Sequence, residues 1–242
     1  MLLDFFKKSR NRTSRKLRFE RDIHAHLLPG VDDGPATMEE SLQLIAGMAE
    51  LGVRQLMATP HIYHQYYPNK KSELIDGFAD LSEAIIDAGI DVDINLSAEY
   101  FLDEHFAKLL KKGELLPIAN EYLLVELPFV AAPPELYNLL FDIQTRGYKP
   151  ILAHPERYMY LTASDYEQLL LAGCQFQLNL LSISGYYGRD IEKRALTLLD
   201  RGQFHAIGSD VHNEHQLEHL KHILSGHYPS VLATQHWLND FL

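Results

Sequence analysis

The chain is almost without thiols, and that absence excludes more than any motif does. Cys174 is the single cysteine in 242 residues, so an intramolecular disulfide is ruled out and a Cys-based zinc site has nothing to be built from. Any metal must sit on nitrogen and oxygen ligands. Cys174 has no Arg six positions on, since position 180 is Leu, so the thiol-nucleophile chemistry of a Cys-x5-Arg loop is missing as well. No stretch approaches the roughly 18 apolar residues that a membrane span requires. The N-terminus MLLDFFKKSRNRTSRKLRFER lacks the apolar core of a signal peptide. These absences together fit a protein of the reduced cytoplasm.

Positive charge is scarce outside that terminus. Residues 1–21 hold eight Lys/Arg against Asp4 and Glu20, which leaves 14 basic against 31 acidic groups in the rest of the chain and a net charge there of −17. Such a body repels phosphate backbones and offers no basic stripe, so nucleic acid is excluded as a partner. Residues 1–20 read as a basic extension to a domain at 21–242. They form a solubilising or docking arm, with weak contact to an anionic membrane surface, helped by Leu2, Leu3, Phe5 and Phe6, as the sharper expectation.

From residue 21 onward strand-like and helix-like segments alternate with short connections. Strands are expected at about 21–25, 53–58, 91–98, 122–127, 150–153, 175–180 and 204–208. Helices fall at about 38–51, 71–88, 103–112, 134–146, 164–172, 190–201 and 215–224. Thr37 with Glu40, and Ser164 with Glu167, have capping-box spacing. Tyr122–Leu127 is nearly all apolar, as a strand buried on both faces requires. Seven such units suit an α/β fold, a distorted seven-stranded (β/α)7 TIM-like barrel whose active site forms on the loops that follow the strands.

Nine metal-type side chains fall at or just past those strand ends: His24, His26, Asp33, His61, Glu99, Glu126, His154, Asp210 and His212. His24 and His26 are one residue apart, so a strand presents both imidazoles on one face. Asp210 and His212 repeat that spacing at the other end of the chain, and closing a barrel makes the two pairs neighbours. Glu126 lies within an apolar run, where an ionised carboxylate needs a compensating partner. Arg157, three residues beyond His154, is the natural phosphate clamp, a planar fork matched to phosphate oxygens. Imidazole and carboxylate without thiolate suit manganese, iron or zinc.

The ordered series H-x-H, Asp, His, Glu, Glu, His, D-x-H resembles the polymerase-and-histidinol-phosphatase (PHP) metallohydrolases over about Asp22–Asn213. Within that family, DIHAHLLPGVDDG, the Thr59-Pro60-His61 triplet and HPERY look like the bacterial protein-tyrosine phosphatases of capsular and exopolysaccharide synthesis. The resemblance implies three metal ions, manganese foremost. The first would be held by His24, His26, Glu99 and Asp210, the second by Glu99, Glu126 and His154, and the third by Asp33, His61 and His212. It implies a phosphorylated tyrosine-kinase tail as substrate, and Arg157 as the catalytic arginine. A PHP phosphoesterase acting on a small molecule such as histidinol phosphate is the enzymatic alternative, and a metal-stabilised regulatory module the non-catalytic one. The sequence does not specify an oligomeric state.

Other residues carry plainer readings. His64, His105, His205, His222, His227 and His236 fit surface or core positions, and His215 and His219, four apart, fit a solvated helix face. Tyr63, Tyr66 and Tyr67 form either an aromatic wall for a phosphotyrosine ring or packing across the barrel mouth. The chain departs from the resemblance in its basic extension and in EHQLEHL after Asn213, which holds no arginine.

Overall fold

The computed structural model describes residues 19–226, 228, 232, 233 and 235–241, so most of the basic extension lies outside the described residues. Strands β1 (Arg21–Ala25), β2 (Gln55–Ala58) and β4 (Asp93–Leu96) form a parallel three-stranded sheet in the order β1-β2-β4. A six-stranded parallel sheet follows chain order: β3 (His61–Ile62), β5 (Glu99–Phe101), β6 (Tyr122–Glu126), β7 (Lys149–Ala153), β8 (Gln175–Asn179) and β9 (Ala206–Gly208).

Seven continuous strands are therefore not what the chain forms. The expected second strand ends at Ala58 and resumes at His61, and the expected third breaks at Ser97-Ala98. Pro60 has no N–H for a ladder. At the first break Thr59 N still donates to Ala25 O at 2.9 Å, and the Thr59 hydroxyl adds to that pairing, accepting from Ala25 N at 3.1 Å and donating to Ala25 O at 3.3 Å. Backbone hydrogen bonds still cross both breaks, from Ser97 N to Ala58 O at 2.8 Å and from Glu99 N to Pro60 O at 3.1 Å.

The two sheets meet again between β9 and β1. Val211 pairs with Ala25 in a parallel bridge, and Asp210 N donates to His24 O at 2.8 Å. At the other end Asn239 does the pairing with its side chain, accepting from Ile207 N at 2.9 Å and donating to Ile207 O and Arg21 O. The C-terminal turn Leu238–Phe241 thus closes the floor between the first and last strands.

Helices α1 (Met38–Glu50), α2 (Lys71–Asp87), α3 (Glu104–Lys112), α4 (Leu136–Thr145), α5 (Ala163–Leu171), α6 (Arg189–Asp200) and α7 (Glu214–Ser225) connect the strands. Thr37 and Glu40 form the expected capping box of α1. The box expected at Ser164 and Glu167 is instead Thr162 with Asp165: the cap lies two residues earlier, α5 begins at Ala163, and the shorter aspartate reaches back to Thr162 N at 2.7 Å. Every residue of β6 is buried, Leu123 and Val125 in the large core beneath the helices. Tyr122 and Leu124 alternate onto the opposite face, where they pack with Ile23, Ile118, Ile151, Ala153 and Ala206. Glu126 continues that inner face, so this small apolar cluster is the floor on which the polar centre rests. Phe19 is buried and Glu20 O accepts from Arg54 N at 2.8 Å, so contact with the core begins just before the expected domain boundary at 21. Among the described residues no helix is long and apolar enough to cross a membrane.

Candidate metal centre

The structure gathers all nine ligand-type side chains and Arg157 around one cleft, of about 220 Å³, at the ends of the strands. The innermost group is fully desolvated. His24 Nε2 and His26 Nε2 stand 3.2 Å apart, His24 Nε2 lies 3.2 Å from Asp210 Oδ1 and 3.3 Å from Glu99 Oε2, and His26 Nε2 lies 3.4 Å from each of those oxygens.

The hydrogen bonds on the far side of each ring decide what these atoms can be. Gln177 Oε1 accepts from His154 N, so it is the acceptor for His24 Nδ1 at 3.0 Å as well. Asp32 Oδ2 accepts from His26 Nδ1 at 2.7 Å. With both Nδ1 atoms donating, the neutral rings turn two Nε2 lone pairs toward each other and toward two carboxylate oxygens. Four acceptors at this spacing fit a divalent cation, since ligands roughly 2.1 Å from a tetrahedral centre stand about 3.4 Å apart. Without a cation, protons must do the work. Burial opposes charging His24, yet the Glu99 and Asp210 carboxylates raise its pKa to about 9.

Two further groups flank this cage. His61 Nδ1 is 3.1 Å from both Glu99 Oε2 and Glu126 Oε1. On its outer side His61 Nε2 is 3.5 Å from Asp33 Oδ1, and His212 Nε2 is 3.4 Å from the same oxygen. His61 therefore touches the Glu126 group as well as Asp33, whereas the resemblance placed it with Asp33 and His212 alone. His154 Nε2 meets the other oxygen of Glu99 at 3.1 Å. Burial and the nearby Arg157 push the His154 pKa down to about 4, so its ring is neutral. Burial and the Glu99 charge raise Glu126. His61 Nδ1 and Glu99 Oε2 are buried without hydrogen-bond partners, which suits donor atoms directed at a cation.

Backbone geometry aims the ligands. Asp210 and His154 hold left-handed conformations, φ 53 and φ 36, rare for residues with a Cβ. Gly208 is required for another reason: a Cβ there would lie 2.6 Å from both Gln177 Nε2 and His24 Cβ. Arg157 Nη1 donates to Asp210 Oδ2 at 3.0 Å, and its guanidinium lies 4.8 Å from the Phe129 ring centre and 4.4 Å from that of Tyr187. It pairs with a ligand candidate rather than with its neighbour Glu156, which is buried and accepts from Asn179 N. Tyr67 stacks on His61 at 5.3 Å and Tyr63 on Phe101 at 3.8 Å, while Tyr66 is exposed.

Several of these residues were not singled out from the sequence: Asp32, Gln177, Asn179, Phe129 and Tyr187. Asp32 is indistinguishable from Asp33 in an Asp-Asp pair. A signal did exist for Gln177 and Asn179, because polar residues alternate along β8, QFQLN, in a strand otherwise apolar.

A family model described as "Capsular polysaccharide synthesis, CpsB/CapC" matches residues 21–223. The tyrosine-protein phosphatase YwqE of Bacillus subtilis (strain 168) is 29% identical over 195 residues, 79% of this chain and 77% of that protein. The tyrosine-protein phosphatase CpsB of Streptococcus pneumoniae is 30% identical over 201 residues, 79% and 82% of the two chains. A crystal structure from the work on those two proteins, described as metal-dependent tyrosine phosphatases, superposes with a TM-score of 0.78 at 26% identity, covering 90% of this chain and 96% of that one.

Proposed function

Because this chain belongs to the CpsB/CapC family of capsular polysaccharide synthesis proteins, we propose that it is a metal-dependent protein-tyrosine phosphatase, a phosphoric monoester hydrolase. The observation that carries the reading is the cage of His24 Nε2, His26 Nε2, Glu99 Oε2 and Asp210 Oδ1, in which the two nitrogens lie 3.2–3.4 Å from each other and from both carboxylate oxygens in a dry interior. We assign one ion to that cage, one to Glu99 and Glu126 with His154 or His61, and one to Asp33, His61 and His212. Manganese is the ion we expect there, and the nine strands read as seven positions of a distorted (β/α)7 barrel.

Divalent ions so bound supply a water nucleophile at neutral pH and offset charge on the phosphoryl oxygens. The chain's own residues position the substrate. Arg157 spends one N–H on Asp210 and keeps the rest of its five donors for phosphoryl oxygens. Phe129 and Tyr187 flank its guanidinium and hold the fork in one plane. Phe129 is 49% exposed, which leaves ring surface at the mouth for the phenyl group of the substrate. A phenolate, whose parent pKa is about 10, departs with less need of a protonated acid than an alkoxide. We take the substrate to be the phosphorylated tail of a tyrosine kinase that regulates polysaccharide export, met in the cytoplasm.

Phosphate release from a phosphotyrosine peptide, a phosphoserine peptide and histidinol phosphate tests this, with manganese, with chelator, and with His61→Ala. Manganese-dependent release that favours phosphotyrosine and is lost in the variant is the expected result. Release from histidinol phosphate alone, or equal release by the variant, would overturn it.

A further inference from the structure

A second histidine cluster stands apart from the cleft. Helix α7 leaves the metal centre at His212, is capped by Asn213 Oδ1, and turns Gln216 toward the cleft. His215, His219 and His222 follow at i, i+4 and i+7, which places all three within one narrow arc of the helix. They line a separate surface cavity of about 540 Å³ together with Ser184, Tyr186 and Tyr228.

The two nearer rings are held in place. His219 Nδ1 donates to His215 O at 2.9 Å, so the neutral ring presents its Nε2 lone pair outward. His215 Nδ1 lies 3.2 Å from the Tyr186 hydroxyl. Tyr186 also packs edge-on against His219, with ring centres 4.8 Å apart, and the two imidazoles stand 4.5 Å apart. Each Nδ1 is thus occupied and each Nε2 is left for a ligand. The Tyr186 hydroxyl pairs with His215 Nδ1 in either tautomer, and in the one where it accepts from Nδ1–H it holds the ring with Nε2 free for a ligand.

The carboxylates on this helix do not join the cluster. Glu218, the nearest in sequence to His219, pairs with Lys221 at 2.6 Å, and no carboxylate lines the cavity among the described residues. An imidazole-only pair favours later first-row ions, whose affinity for nitrogen exceeds that of manganese or magnesium. The catalytic cleft, with four carboxylates among its nine ligand candidates, has the opposite bias.

We propose that His215 and His219 form a surface binding site for a late first-row divalent cation such as Zn2+ or Ni2+. The cation would staple successive turns of α7, the helix whose N-terminal approach carries His212. This inference does not depend on the phosphatase reading.

Equilibrium dialysis of the full chain against Ni2+, followed by metal analysis, tests it by difference. Wild type is expected to hold one more Ni2+ per chain than the His215→Asn/His219→Asn double variant, and the two are expected to bind manganese equally. Both rings face solvent or are only half-buried, so melting of the two proteins in chelator should coincide, and manganese-supported turnover should not change. Equal Ni2+ content in wild type and double variant would overturn the proposal, as would a loss of manganese matching the loss of Ni2+.

Discussion

Asp32→Asn is an exchange of one oxygen for one nitrogen, and the structure makes it costly. The Asp32 side chain is 1% exposed and its carboxylate accepts three N–H groups: His26 Nδ1 at 2.7 Å and His61 N at 3.0 Å on Oδ2, and Gly34 N at 3.0 Å on Oδ1. Asparagine brings one oxygen and one NH2, so in either orientation at least one buried N–H faces another donor. An unsatisfied buried donor costs about 1–3 kcal/mol. If the amide oxygen stays on His26, the strain falls on Gly34 and the DDG loop; if it turns away, His26 loses the partner that holds its Nε2 open to the cage. Outer partners of metal-binding histidines are worth about 10- to 100-fold in metal affinity, or about 1.4–2.8 kcal/mol. The assay is manganese affinity by titration calorimetry, beside urea unfolding in chelator. Asp33→Asn is the control: Asp33 is 53% exposed, so the variant should lose turnover with unfolding changed by less than about 0.5 kcal/mol. Asp32→Asn with manganese affinity within twofold of wild type and an unchanged urea midpoint would refute the reasoning.

Arg157→Lys should lower kcat/KM on a phosphotyrosine peptide by about 10- to 100-fold, because an ammonium keeps the charge but loses both the fork and the aromatic sandwich. Metal content should hold, and kinetics within twofold of wild type would argue against the clamp. Gly208→Ala drives a methyl group into Gln177 and His24 Cβ and should cost about 1–3 kcal/mol in urea unfolding; a neutral effect would mean β9 is free to shift. In chelator, stability should fall as pH rises. His24, raised to about 9 by Glu99 and Asp210 against the burial penalty, starts from an unfolded value of about 6.5. A raised folded pKa gives a contribution fully present below pH 6.5 and lost as pH climbs through 9, roughly 3 kcal/mol in all. Saturating manganese should flatten that slope, and a urea midpoint in chelator that stays level from pH 6.5 to 9.5 would contradict it.

Which side chains meet was more legible in the sequence than how they are held. A polar group at the end of an apolar strand reports its place in one dimension, and in a parallel α/β fold every strand end lies at one rim. That is why His24, His61, Glu99, Glu126, His154 and Asp210 could be grouped before any coordinates. The alternation of helix and strand carried the α/β class and the Thr37 cap for the same reason, since both are local. The stop after Ala58 was legible in Pro60, but the short strand that resumes at His61 and the break in the third strand were not, because a two-residue strand carries no periodicity and Ser97 looks like an ordinary strand residue. Asp32 and Gln177 were invisible because their roles lie on the far side of His26 and His24. Nothing local separates Asp32, turned inward to a ring nitrogen, from Asp33, turned outward to His61 and His212.

The strained positions explain why so repulsive a group of acceptors persists. A left-handed backbone at a non-glycine residue costs on the order of 1–3 kcal/mol, and two of the ligand candidates, His154 and Asp210, carry it. Each is held from several directions. His154 N donates to Gln177, Asp210 N donates to His24 O, and Asp210 Oδ2 takes hydrogen bonds from Arg157 and Asn179. The same Gln177 fixes His24 Nδ1. Gln177 therefore ties His154 to His24, and the bond from Asp210 N to His24 O ties Asp210 to the same strand. The geometry is set by the protein's own hydrogen bonds, so a cation arriving in the cage meets acceptors already at ligand spacing and has little reorganisation left to drive. The metal-free chain bears the cost instead, as backbone strain and as buried carboxylates and imidazoles that must share protons. Stability gained on metal loading should accordingly exceed what the exposed Asp33 side of the centre alone could supply, with the inner cage of His24, His26, Glu99 and Asp210 giving the larger part.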